Sequence, residues 1–305
     1  MEIVPFDEAH AAGCAVLVAA ANRRARGEEP LLPSTLEDEE RVQEQIVGLG
    51  SIGLTVVALE AGSVVGFAGG FPFDLWGRPG AYVPEWGHGT VGPDAIHPLY
   101  AAASARWSGA GIVTHALSLF ASDRRAEEAW HAVGFGRVLV HGLREIGEVA
   151  RPSGVRRAGP EDLDAVLDLD HGLWTHLAGP PTLRIHPESD PEEIAGLLAD
   201  AQRPVWIAEE GGEPVGLAGA ALRHDHAPPA VDDPGMSHVT SAYVRADRRS
   251  SGAGRRLVDA ALAWAADQGC HRATVEYESA NLEGARAWEG LGFRPVVHVL
   301  VRRTV

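Results

Sequence analysis

A mixed α/β (α+β) fold built from two similar domains is predicted by three echoes within the 305-residue chain. Val57-Ala58-Leu59-Glu60-Ala61-Gly62-Ser63-Val64-Val65-Gly66-Phe67-Ala68-Gly69 matches Ile207-Ala208-Glu209-Glu210-Gly211-Gly212-Glu213-Pro214-Val215-Gly216-Leu217-Ala218-Gly219 at an offset of 150 residues. Each reads as strand, tight turn and strand, a β-hairpin. A helix ending in Gly-Phe before a strand also occurs twice, at Glu128 to Phe135 and at Ala287 to Phe293. The two halves also open alike: Ile3-Val4-Pro5-Phe6-Asp7 and Val155-Arg156-Arg157-Ala158-Gly159-Pro160-Glu161-Asp162 are each a short strand followed by an acidic, capped helix start.

Length agrees with the repeat, because 305 residues accommodate two domains of about 150, each large enough for a core. The natural boundary is Gly147 to Gly154, where Gly147, Pro152, Ser153 and Gly154 interrupt two patterned segments. Domains at 1–148 and 153–305 are therefore expected. Hydrophobic content of 45% with 22% charged residues is that of a soluble globular protein. No apolar run approaches the ~18 residues of a membrane span. Met1-Glu2-Ile3-Val4-Pro5 lacks the basic and apolar regions of a signal peptide, so a cytoplasmic location is expected.

Cys14 and Cys270 fall in separate domains within apolar contexts, which predicts two buried free thiols. A net charge of −16 disfavours nucleic acid and anionic membranes as partners and favours a neutral or cationic small substrate. All 26 basic residues are Arg, so lysine Schiff-base chemistry is excluded. The oligomeric state is left open.

The second half carries the most chemistry. An apolar strand ending at Val244 runs into Arg245-Ala246-Asp247-Arg248-Arg249-Ser250-Ser251-Gly252-Ala253-Gly254-Arg255-Arg256, a Gly-spaced, Arg-led turn that opens a helix. Without side chains at Gly252 and Gly254, backbone N–H groups can approach an anion closely, and the helix start directs its positive dipole end to the same place. Arg249, Arg255 and Arg256 add charge. The helix Arg255 to Gln268 is closed by Gly269 and followed by the strand Ala273 to Glu278. Next come an Asn281-led helix ending in Leu291-Gly292-Phe293 and a last strand.

This order resembles the GCN5-related N-acetyltransferase (GNAT) family, most strongly over Val239 to Val301 and weakly back to Val155. The resemblance implies tandem GNAT-like domains, each a mixed, mostly antiparallel sheet flanked by helices, with the cofactor entering where two central strands splay apart. It implies acetyl-CoA as co-substrate and no metal. Arg249, Ser250, Ser251, Gly252, Ala253 and Gly254, with Arg255, would bind its pyrophosphate. The main chain of Ala242, Tyr243, Val244 and Arg245 would meet the pantetheine arm and thioester, with Asn281 and Trp288 also at that arm.

The family's usual base position, six residues before Val244, holds His238, whose imidazole can accept a proton near neutral pH. Glu276 and Glu278, on one strand face, are its rivals. The position where many relatives carry a proton-donating Tyr holds Trp288, whose indole N–H is no proton-transfer acid. His224-Asp225-His226, His171 and His176 lack the companions of a metal site. Leu173 to Pro191 occupies the region that shapes the acceptor pocket in the family.

The first copy departs from the pattern. Gly92-Pro93-Asp94-Ala95-Ile96-His97 replaces the phosphate turn, and Ser108-Gly109-Ala110-Gly111 is a helix terminator rather than a displaced cradle: Gly111 lies 24 residues before Phe135, against 39 between Gly254 and Phe293. A divergent first domain without a cofactor site is expected. The whole reads as an N-acetyltransferase that passes the acetyl group of acetyl-CoA to a primary amine of a neutral or cationic small molecule by direct attack. The alternatives are a non-catalytic acyl-CoA-binding or regulatory protein, or an acetyltransferase of the mycothiol-synthase type.

Overall fold

Alternating apolar positions and left-handed glycine turns shape the chain in a computed structural model, which describes residues 1–74, 77–149, 151–185, 189–222 and 228–303. His186 and the triplet His224-Asp225-His226 lie outside the described residues. In chain order the first half comprises β1 (Glu2–Pro5), α1 (Ala11–Glu28), α2 (Glu39–Ser51), β2 (Val56–Glu60), β3 (Ser63–Ala68), β4 (Phe71–Asp74), β5 (Pro79–Val83), β6 (His88–Thr90), α3 (Ile96–Gly109), β7 (Thr114–Phe120), α4 (Arg124–Ala132) and β8 (Gly136–Glu145). The second comprises β9 (Val155–Arg157), α5 (Leu163–Ala178), α6 (Pro191–Ala199), β10 (Val205–Glu210), β11 (Glu213–Ala221), β12 (Met236–Val244), α7 (Ala253–Asp267), β13 (Arg272–Glu278), α8 (Leu282–Gly290) and β14 (Arg294–Arg303).

The predicted hairpins are β2–β3 and β10–β11. Their turns are left-handed at Ala61-Gly62 and at Gly211-Gly212, the geometry that matches strand twist. A β-bulge follows Ala58 in one and Ala208 in the other, so even the ladder defect repeats at the offset of 150. Gly111 and Gly269 end α3 and α7 with positive φ, as read from the sequence.

Two compact units emerge, 1–140 with 228–232 and 295–305, and 141–227 with 233–294. The chain thus changes unit inside β8 rather than at Gly147–Gly154, and most of β14 belongs to the first unit. There β14 pairs antiparallel with β7 from Val297↔Phe120 to Arg303↔Thr114, and Leu300 enters the first unit's core beside Tyr100, Trp107, Leu117 and Trp130. No periodicity in the sequence marks that pairing, because strand alternation records which face is buried but not which neighbour lies alongside.

In the first unit β1-β2-β3-β6 form an antiparallel sheet, while β5 pairs antiparallel with β4 and parallel with β7. In the second unit β9, β10, β11 and β12 are antiparallel neighbours and β12 runs parallel to β13. Leu217 and Tyr243 pack with Val166 and Leu169 of α5 on one face, and Ala242 and Val244 pack with Leu257 and Ala261 of α7 on the other. Cys14 and Cys270 are buried free thiols, and burial pushes the Cys14 pKa up to about 12, which makes it inert. Among the described residues no helix is long and apolar enough to cross a membrane.

Candidate active site

The second unit's parallel ladder stops early. β12 and β13 are in register only from Met236↔Arg272 to Val239↔Val275, and a bulge at Thr240 then turns β12 away. Arg245 N–H donates to Val215 C=O at 2.9 Å, and such bonded pairs alternate along an antiparallel ladder. Tyr243 therefore turns its main-chain groups toward β11. Ala242 and Val244 turn theirs to the edge that β13 has left, where Val244 C=O accepts from Arg249 Nε at 3.4 Å. This opened edge leads directly into the glycine turn.

Gly252 is the N-cap of α7 with φ +83° and ψ 1°, and Ser250 is also left-handed at φ +65°. The first intrahelical bond is Arg256 N–H to Gly252 C=O at 3.1 Å. The N–H groups of Gly252, Ala253, Gly254 and Arg255 thus precede the helical ladder, which is the arrangement that binds phosphate. A Cβ on Gly254 would stand 3.7 Å from Val244 Cγ2, an ordinary contact, so the protein itself does not demand glycine there. The bare position keeps the turn open to something outside the chain. An acyl-CoA pyrophosphate fits this donor set.

The arginines are more engaged than their spacing implied. Arg249 pairs with Glu283 at 2.5 Å and its Nη2 lies 3.4 Å from His176 Nδ1. Arg255 donates to Gly290 C=O at the end of α8, and Arg256 lies 3.4 Å from Glu210. A cleft of about 430 Å³ runs beside this turn, lined by Asp168, His171 and His176 of α5 with Tyr243, Arg245 and Arg249. Burial and the Arg249 charge hold the His176 pKa below its ordinary value.

His238 and Thr274 are register partners, and Glu276 and Glu278 follow Thr274 at spacings of two, so the three candidate bases share one sheet face. His238 is buried, which excludes the plain reading of a surface strand start, and its Nδ1 lies 2.7 Å from Thr274 Oγ1. His141 Nε2 lies 3.6 Å from Glu276 Oε2. Glu278 accepts from Arg184 at 2.7 Å, and burial raises its pKa against the opposing pull of that guanidinium. Asn281 Oδ1 caps α8 by accepting from Gly284 N–H at 2.9 Å. Trp288 stands edge-on to Phe293 at 5.4 Å. Sequence reasoning placed Trp174 in the Pro-rich stretch Leu173 to Pro191 but did not single out Arg184, which lies in the same stretch.

Among the described residues the first unit is built differently at the corresponding places: β5 pairs with β7 only as far as Val83↔Leu117, and β6 pairs with β3. Pro93 has no N–H to offer, and Asp94 puts a negative charge in the first turn. The strand corresponding to β12 is broken into β5 and β6 by Pro84 to Gly87, and His88 Nε2 bridges to Ser118 C=O at 2.8 Å. The imidazole ties β6 to β7 there.

Residues 171–293 match the model of the acetyltransferase (GNAT) family. Over 158 residues the chain is 30% identical to aminoglycoside N(6')-acetyltransferase type 1 of Stenotrophomonas maltophilia, spanning 51% of this chain and 95% of that one. A GCN5-related N-acetyltransferase from Sphaerobacter thermophilus shares the fold over 99% of this chain and 95% of its own, with TM-score 0.59 and 14% identity. A tandem GNAT protein from the clavulanic acid biosynthesis pathway covers 99% and 98%, with TM-score 0.50 and 14% identity. With its opened strand edge, its glycine-capped helix start and a relative matched over nearly its full length, the chain belongs to the GNAT family of acetyltransferases.

Proposed function

We propose that the second unit transfers the acetyl group of acetyl-CoA to a primary amine of a small molecule by direct attack, without a covalent acyl-enzyme. The observation that carries this reading is the edge of β12 that β13 leaves after Val239, leading into the N–H groups of the turn Ser250 to Gly254. Acetyl-CoA supplies the activated thioester; the protein supplies position and proton handling. Its pyrophosphate would lie on the start of α7, with Arg249 released from Glu283. Ala242 and Val244 would meet the pantetheine amides and the thioester oxygen, where an N–H stabilises developing negative charge.

His238 serves as the base. When its Nδ1–H donates to Thr274 Oγ1, Nε2 holds the lone pair that takes a proton from the incoming ammonium, directly or through water. With an indole at position 288, the thiolate leaves unassisted or takes its proton from solvent. The name of the Stenotrophomonas relative supports an amine-bearing small molecule as acceptor. The first unit, with its bridged strands and Pro93 turn, binds no acyl-CoA in this reading.

Steady-state release of CoA thiol over an amine panel tests the proposal. Activity should rise along one acidic limb with no falling limb from a phenol. His238→Ala should lower kcat by about 10²-fold, in the range of general-base loss, with acetyl-CoA affinity nearly intact. Undiminished activity in that variant would remove His238 as the base, and no thiol release with any amine would defeat the reading.

A further inference from the structure

A cation already sits on the face that carries Glu278, and it belongs to the chain. Arg184 Nη1 lies 2.7 Å from Glu278 Oε1, and its Cζ lies 5.2 Å from the centre of the Trp174 ring. The Glu278 side chain is 15% exposed and that of Arg184 34%, so the carboxylate is the sheltered half of the pair. A sheltered carboxylate facing an indole is a cage for an ammonium or a guanidinium.

Among the described residues, the segment delivering Arg184 is held by two main-chain bonds and, at Ser189, by a hydrogen bond from its hydroxyl to Asp170 at 2.6 Å. Leu183 N–H bonds to Gly179 C=O and Arg184 N–H to Leu177 C=O, each at 3.0 Å. Leu183, left-handed at φ +53°, and Ile185 flank Arg184 in the sequence, and both are 69% exposed. Apolar side chains so exposed contribute little to holding the strap down; the charge pair and the ring contact keep Arg184 in place.

We propose that Trp174 and Glu278 form the seat for a positively charged group of the acceptor, and that Arg184 fills this seat until the acceptor displaces it. The inference rests on the acetyltransferase reading and deepens it. An amine held against a carboxylate stays protonated and cannot attack a thioester, so the seat takes a second, non-reacting cation. The acceptor class is therefore a molecule with at least two cationic nitrogens, one acetylated near His238 and one held at Glu278. Arg184 then sets specificity by competition: where it occupies the seat about nine-tenths of the time, an acceptor's apparent affinity is about tenfold weaker than the open seat would give.

Hexane-1,6-diamine and hexylamine are probes that differ in the second charge. In Arg184→Ala, KM and the calorimetric Kd for the diamine should fall about tenfold, while those for hexylamine change less than twofold. Arg184→Lys, which keeps a cation on the strap, should stay near the native values, and Glu278→Gln should weaken the diamine about tenfold. Unchanged acetyl-CoA affinity in each variant shows that the unit has kept its fold. Equal gains for both amines in Arg184→Ala, or no gain for the diamine, would overturn the seat. Calorimetry needs no turnover, so diamine binding that follows this pattern without CoA release would retain the seat while rejecting the acetyltransferase reading.

Discussion

Glu85 lies between β5 and β6 at 2% exposure, and among the described residues neither carboxylate oxygen closes a hydrogen bond. The Ser118 hydroxyl and the Ala230 main chain are near enough only to moderate the cost, and burial drives its pKa up from 4.5 to about 7. Because the folded-state pKa is raised, the folded chain holds more protons than the unfolded one between those values. Stability from this group therefore falls as pH rises through 4.5 to 7 and stays at its lowest above that window. Glu85→Gln removes the penalty: its advantage over the native protein in urea unfolding should be small at pH 4.5 and grow to about 3 kcal/mol at pH 8. A constant difference across that range would show that Glu85 is not a buried charge at neutral pH.

At the scale of the element, the start of α7 combines two left-handed residues with different side chains. Gly252 adopts φ +83° without a Cβ, and Ser250 adopts φ +65° with one. Gly252→Val should lose about 2 kcal/mol of stability or more from the left-handed position. It should also abolish acetyl-CoA binding by calorimetry, since the turn can no longer present its N–H groups. Ser250→Gly should instead stabilise by about 1 kcal/mol and keep binding. If Gly252→Val binds as the native protein does, the cofactor does not use this turn. Asn281 is clearer in the structure than in the sequence: its side chain is the N-cap of α8, a role that by itself explains an asparagine there.

At the scale of the molecule, the chain carries a net charge of −16, which favours the approach of a cationic acceptor to the proposed seat. Exposed charges act over about a Debye length, ~8 Å at physiological ionic strength, so capture of a cationic acceptor should weaken with added salt. Between 20 mM and 300 mM salt, kcat/KM for hexane-1,6-diamine should drop several-fold, while an aromatic amine that is neutral at the assay pH changes little. Equal responses would leave the charge without a role in capture. The same scale bears on stoichiometry: with the proposed phosphate turn found once among the described residues, one acetyl-CoA per chain is the expected result, and two equivalent sites in calorimetry would contradict the reading of the first unit.

The sequence by itself determined the features that depend on local chemistry. The two hairpins with their turns, the glycine stops of α3 and α7, the glycine turn opening a helix and the shared face of Glu276 and Glu278 all follow from residue type and spacing, because φ preferences and strand alternation act within a few residues; the left-handed cap at Gly252 came from the structure. Pairing over long distances followed no such rule. Only the tertiary structure decided that β14 completes the first unit beside β7, that β12 and β13 part after Val239, and that His88 bridges β6 to β7 where the second unit is open. It also brought Arg184 to Trp174 and Glu278, 94 residues further along the chain from the arginine. A cation cage depends on which faces the fold turns toward one another, and no periodicity within the strap or the strand records its partner.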